Sequence, residues 1–200
     1  MSLPWTAMPL CSKRTDMKQH YTAIAKLFHW GMALLIAGLV TMGFVMTDMA
    51  LSPEKLQYYA WHKWAGVSVF MLVWLRLLWR VINPPPAYPD NMSIWMQRLA
   101  HAGHAVLYGL MVIIPISGWL LSSAKGVQTV WFGVLPLPDL IDKNKELGHL
   151  LHALHEALNY LMLFLLAGHI AAALKHHWID RDDILKRMLP THATHNESKE

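Results

Sequence analysis

A chain of 200 residues with 54% apolar side chains and only 15% charged ones, carrying ten tryptophans and thirteen methionines, falls well below the roughly 25% charged share of soluble domains. Its net charge of +4 comes from lysines and arginines that flank apolar segments, with no basic run interleaved with aromatic residues, so the balance does not point to nucleic acid. The single cysteine, Cys11, excludes an internal disulfide, a zinc site built on several thiolates and haem attachment through Cys-x-x-Cys-His.

Residues 1–22 hold Lys13, Arg14, Asp16 and Lys18 without an apolar core, and are expected to form a polar tail and not a signal peptide. A membrane domain is expected over 23–180. About twenty apolar residues cross a bilayer core, and four segments meet that length. The first, 27–47, has no Asp, Glu, Lys or Arg. The second, 62–82, qualifies if Arg76 and Arg80 snorkel to one surface. "NPPPAYPDN" (83–91) cannot continue a helix. The third span, 99–124, is uncharged, and Pro115 is expected to kink it. "LPLPDLIDKN" (135–144) is a second break. The fourth, 155–175, has His155 and Glu156 at its entrance. Residues 181–200 form a second polar tail, with "THATHNESKE" expected to be disordered. A soluble bundle would show charged outer faces at helical spacing, and these segments are apolar all round. The fold expected is therefore an all-α integral membrane protein, a four-transmembrane-helix bundle.

Four spans leave both termini on one side. That side carries Lys13, Arg14, Lys18, Lys26, Arg76, Arg80, Arg98, Lys175, Arg181, Lys186, Arg187 and Lys199; the other carries Lys55, Lys63, Lys125, Lys143 and Lys145. By the positive-inside rule both termini are cytoplasmic.

Orientation gives every histidine a depth. His29 opens an outward span and lies towards the inner surface. His62 opens an inward span near the outer surface. The fourth span also runs inward, which puts His155 outside and His169 inside, about 21 Å apart along one helical face. Two pairs at matching depth follow, His29 with His169 and His62 with His155. Ionisable groups in a membrane point to function, and two facing imidazoles suit a six-coordinate haem iron in a bundle core. Zinc would need further ligands at each level. Gly31, Gly38, Gly43, Gly66 and Gly168 are candidates to make room for a macrocycle. His101 and His104 also lie towards the inner surface and compete with His29, His101 being expected at the interface and His104 near a haem propionate or a quinone. His149 and His152 read as an interfacial stretch, His176 and His177 as surface residues. Arg76 and Arg80 read equally well as topology anchors or as partners of inner propionates.

The ordered set "FHW" (28–30), "WHKWAG" (61–66), "RLLWRVINPPP" (76–86), "HAGHAVLY" (101–108), "LHEALNY" (154–160) and "GHIAAALKHHWIDRDDILKRMLP" (168–190) resembles the bacterial cytochrome b561 family over residues 21 to 190. The resemblance implies a four-helix inner-membrane protein with two b-type haems, one held by His29 and His169, the other by His62 and His155. The Pro-rich loop and the "ALKHH" ending look like a subgroup of unassigned substrate. "HEAL" is closer to the subgroup that includes superoxide:ubiquinone oxidoreductase.

The function expected is electron transfer through two bis-His haem b groups to or from the quinone pool. Its most specific form is superoxide oxidation outside coupled to ubiquinone reduction. The alternatives are transfer from quinol to a periplasmic redox partner, a membrane anchor subunit of a larger enzyme, or a haem-free protein using its histidines for metal or proton transport. Counted along the chain, the outer side shows no net positive funnel for an anion: its five lysines face Asp48, Glu54, Asp139, Asp142, Glu146 and Glu156.

Overall fold

Each long helix begins at a side-chain oxygen that accepts an otherwise unpaired backbone N–H. Thr22 accepts from Ala25, Ser52 from Lys55, Ser93 from Met96 and Asn144 from Leu147. Pro53 follows Ser52 in the first helical position, where its missing N–H costs nothing. The computed structural model describes residues 20–89 and 91–190. Both expected terminal tails beyond these, with Cys11, Lys13, Arg14, Lys18 and Lys199, lie outside the described residues.

The helices are α1 (Ala23–Asp48), α2 (Pro53–Ile82), α3 (Ile94–Ala124) and α4 (Lys145–Lys175). A π-helical turn, His176–Asp180, continues α4, and a short helix α5 (Ile184–Met188) follows. Two-residue strands β1 (Val130–Trp131) and β2 (Leu135–Pro136) pair antiparallel in the loop between α3 and α4. All four helices start before the apolar stretches that mark them in sequence, α4 ten residues before His155. Hydropathy marks the hydrocarbon-embedded part, whereas a capped helix runs on through the interface. The hairpin sits where only a break is legible in sequence. Pro115 lies inside α3 without ending it.

All four helices are long and apolar enough to cross a membrane. Their packing confirms what they face. The buried core is small, built from Met32, Val69, Val73, Leu110, Met111 and Met162, while Leu34, Val81 and Phe164 are 74%, 78% and 75% exposed. Leaving such side chains in water would cost about 1.5–3 kcal/mol each. In lipid that cost vanishes, and only the backbone need be satisfied internally. The chain is a multi-pass membrane protein with a four-helix bundle.

Close backbone packing joins the helices in chain order, α1 with α2, α2 with α3 and α3 with α4. No comparable contact joins α4 to α1 or to α2. Indole donors fasten both ends. At the end opposite the termini, the far end below, Trp64 Nε1 donates to the Val130 carbonyl, Trp131 Nε1 to the Trp64 carbonyl and Trp119 Nε1 to the Pro138 carbonyl. At the termini end, Trp79 Nε1 donates to Thr22 Oγ1 and Trp30 Nε1 to the Met188 carbonyl. Arg187 reaches the Ala87 carbonyl at 2.8 Å, so α5 is tied to the α2–α3 loop.

Candidate functional site

Helical geometry alone puts His29 and His169 at one level and His62 and His155 at another; the tertiary structure turns each pair inward. The ring centroids of His29 and His169 are 6.2 Å apart and those of His62 and His155 are 6.4 Å apart. Metal–imidazole bonds are about 2 Å long, so with roughly 1 Å from each nitrogen to its ring centre, trans imidazoles have centroids roughly 6 Å apart. Both pairs stand at that separation, and each joins two helices with few or no close backbone contacts between them. A flat group held on its axis would lie in the resulting gap.

At the far-end pair, His62 Nδ1 is buried without a hydrogen-bond partner; the nearby Leu39 carbonyl falls short of bonding geometry. An orphaned imidazole nitrogen in apolar surroundings fits a missing partner for that ring. Glycines open space beside both rings. A Cβ at Gly43 would stand 3.7 Å from His62 Cε1, and one at Gly118 would stand 3.1 Å from His155 Cε1. Nothing lies within 4 Å of a Cβ built at Gly31, Gly38, Gly66 or Gly168.

His155 is held from α3. Its Nδ1 lies 2.8 Å from Ser117 Oγ, which itself lies 2.7 Å from the Ile114 carbonyl. With the Ser117 hydroxyl proton given to the Ile114 carbonyl, the Ser117 lone pair is free to accept from Nδ1–H of His155. Nε2 is then left with the lone pair that a metal takes.

At the termini-end pair the cleft is lined by Met32, Ile36, Leu107, Met111, Met162 and Leu166 around His29, His104, Arg76 and His169. His104 stands 5.4 Å from His169 between ring centroids and bonds through Nδ1 to the Ala100 carbonyl at 2.7 Å. The termini-end pair is therefore part of a three-imidazole group. His101 is exposed and turns to the Gln97 carbonyl and Tyr88 instead. Arg76 does not snorkel outwards: its Nη2 donates to His29 Nδ1 at 3.0 Å, and its guanidinium lies 5.3 Å from the Tyr108 ring centre. Arg80 lies 5.9 Å from the same ring.

These residues fit a haem, whose chemistry two opposed imidazoles and an apolar slot would serve, with Arg76 releasing His29 Nδ1 so that this nitrogen holds the proton when Nε2 takes a metal. A family model described as prokaryotic cytochrome b561 matches residues 20–191. The chain belongs to the prokaryotic cytochrome b561 family. Among its relatives, cytochrome b561 homolog 2 of Escherichia coli (strain K12) is 35% identical over 182 residues, 88% of this chain and 94% of the relative. A probable superoxide oxidase CybB of Yersinia pestis is 29% identical over 179 residues, 87% of this chain and 98% of that one. Cytochrome b561 homolog 1 of E. coli (strain K12) is 31% identical over 136 residues, 64% of this chain and 73% of the relative. Membership of the cytochrome b561 family implies b-type haem.

Away from the histidine pairs, the far end of this b561 cytochrome holds a cleft lined by Lys125, Lys143, Lys145, His149 and His152 with Ala124 and Gly148. None of the three lysines makes an ion pair among the described residues. Counting charges along the chain hides this cluster, because folding brings Lys125 from the end of α3 to Lys143 and Lys145 at the start of α4. His149 and His152 thus line a recess with three lysines. At the other end His176 is not a surface residue: it is 9% exposed, and its Nδ1 lies 2.6 Å from Asp182 and 3.2 Å from Asp180. The π turn swings it inward, and Asp182 also accepts from the Ile184 N–H at the start of α5. His177 Nδ1 is likewise buried, without a partner.

Ser117 and Gly118 escape a sequence reading because neither carries redox chemistry; their only trace is a small pair just after Pro115. One variant tests that seat. Gly118→Val puts carbon where His155 Cε1 now lies within van der Waals reach, so haem binding at this pair should fail while the His29/His169 pair keeps its own. Haem-to-protein ratio by absorption checks it.

Proposed function

We propose that this cytochrome carries electrons through two b-type haems, one at each histidine pair, oxidising superoxide at the far end and delivering electrons to a quinone. The far end is then periplasmic and the termini are cytoplasmic, in a bacterial inner membrane. The lysine and arginine bias supports that orientation: among the described residues Lys26, Arg76, Arg80, Arg98, Lys175, Arg181, Lys186 and Arg187 lie towards the termini end. His29 and His169 are the proposed ligands inside, and His62 and His155 outside. The observation that carries the reading is the pair of imidazole separations, 6.2 and 6.4 Å, at two levels of one bundle.

Haem, when bound, supplies reversible one-electron chemistry. The protein's part is to bind and orient it, to exclude water with Met32, Met111 and Met162, and to bring the substrate close. Two histidines holding each iron would leave no open coordination position, so substrates are expected to exchange electrons at the periphery. Superoxide suits that arrangement: it gives up one electron and leaves as O2 without bonding to a metal. Two such events supply a quinone, which also takes two protons. The unpaired Lys125, Lys143 and Lys145 would raise the local concentration of a small anion beside His155's end of α4. The name of the Yersinia relative points the same way.

Rapid mixing of the purified oxidised protein with a superoxide pulse tests the reading. Reduced b-type absorption bands should appear faster than superoxide dismutes, and a ubiquinone analogue should reoxidise them. Reduction no greater than in a dismutase-treated control rejects superoxide as the donor.

A further inference from the structure

Where α4 runs into the π turn, three ligand-type side chains converge away from both histidine pairs. His176, 9% exposed, places Nδ1 2.6 Å from an Asp182 oxygen and 3.2 Å from an Asp180 oxygen. One donor atom from each residue lies within 4.8 Å of the others. The backbone bends to bring this about. Arg181 takes a left-handed conformation at φ 53°, and the Asp182 N–H returns to the His176 carbonyl at 3.1 Å, so both carboxylates come back to the imidazole they follow in sequence. Nδ1 carries at most one proton, and one proton cannot satisfy two carboxylates. Nearby positive charge is turned elsewhere. Lys186 pairs with Asp183, Arg187 reaches the Ala87 carbonyl, and Arg181 is exposed with no ion pair among the described residues. Lys175, with its side chain 46% exposed, reaches Asp180 alone. The Asp182 side chain, 12% exposed, is left with the His176 ring and the Ile184 N–H.

We propose that His176, Asp180 and Asp182 form a binding site for a divalent first-row transition ion, with one imidazole nitrogen and two carboxylate oxygens filling three positions and water the rest. Two carboxylates match the ion's double charge. The mixed nitrogen and oxygen set suits zinc or manganese over magnesium, which prefers oxygen alone. Bonds of about 2.0–2.2 Å put neighbouring ligand atoms roughly 3 Å apart or a little more. The spacing between His176 and Asp180 already meets that, and Asp182 has to back away by roughly half an ångström. The ion takes the Nδ1 lone pair, and the proton held there passes to Nε2 of a neutral ring or to solvent from a charged one. Lys175 gives up Asp180, which its exposed stem permits. Asp182 also accepts from the first N–H of α5, which Arg187 holds to the α2–α3 loop and the Met188 carbonyl holds to Trp30 of α1. A bound ion therefore staples the exit of α4 to the segment that ties the termini end together.

Calorimetry with Zn2+ on the full-length, tag-free, chelator-washed holoprotein tests it. A His192→Gln/His195→Gln background removes two further imidazoles near the C-terminus that are zinc ligands in their own right. One Zn2+ per chain is expected, with Mg2+ at the same concentration not binding. His176→Gln and Asp182→Asn should each weaken Zn2+ binding at least tenfold, the least that is lost when a residue merely supporting a ligand is changed. Lys175→Met should tighten it, because no ammonium then competes for Asp180, and a misfolded variant cannot give that gain. An isotherm unmoved by His176→Gln or Asp182→Asn overturns the site. So does Mg2+ binding as well as Zn2+, a Lys175→Met variant that binds no tighter than its parent, or a parent that binds no Zn2+. His176 lies seven residues beyond His169, so b-type absorption should be the same in every variant. A colourless preparation that still binds one Zn2+ through these residues rejects the haem assignment instead, and leaves this site standing.

Discussion

Haem content should fall from two per chain to one in each of four single variants, His29→Ala, His62→Ala, His155→Ala and His169→Ala, as read by pyridine haemochrome per protein. The loss is expected to be complete at the far-end level, because truncation there leaves a single imidazole in an apolar slot; at the termini end His104 stands near enough to His169 to take the place of His29. Pairing makes the sharper test. His29→Ala/His169→Ala should still hold one haem, since both changes fall at one level, whereas His155→Ala/His169→Ala should hold none. His104 stands nearer to His169 than His29 does, 5.4 against 6.2 Å between ring centroids. It is therefore the competitor to eliminate. His104→Ala should retain both haems; loss of one there, with His29→Ala unaffected, would transfer the inner ligand from α1 to α3.

Neutralising the outer recess should slow superoxide and nothing else. In Lys125→Gln/Lys143→Gln/Lys145→Gln, haem reduction by a superoxide pulse is expected to drop at least tenfold at low salt, the lower end of what electrostatic steering supplies. Raising ionic strength should shrink the gap between variant and parent, because the Debye length contracts from about 30 Å at 0.01 M to about 8 Å at 0.15 M. Haem content and reduction by dithionite should stay as in the parent. These side chains touch neither histidine pair; they line the recess with His149 and His152 one turn and more before His155. An unchanged rate at low salt removes the recess from the path of the anion.

Most of the scaffold is legible because a membrane helix announces itself by composition. Four apolar stretches, broken by "NPPP" and "LPLP", give the number of spans, and lipid demands nothing subtler from the outward faces. The pairing of His29 with His169 and of His62 with His155 is legible for a related reason. Antiparallel spans of known length fix depth, and depth sorts residues. Lateral placement is different. Which of His29 and His104 faces His169, and whether Arg76 points to the surface or into the bundle, depends on helix rotation, and helices apolar all round carry little periodic signal to set it. The recess of Lys125, Lys143 and Lys145 escapes for a third reason: the loop that brings them together is shaped by Trp119, Ser123 and the β1–β2 hairpin, contacts between residues far apart in the chain.

By itself, then, the sequence determined a four-span membrane bundle, its family and the heights at which imidazoles meet, since these follow from apolar length, charge bias and helical rise. Only the tertiary structure decided how each ring is held, Ser117 accepting from His155 and Arg76 donating to His29. Hydrogen bonds act over about 3 Å between specific atoms, and no one-dimensional pattern reports which atoms of distant helices come that close.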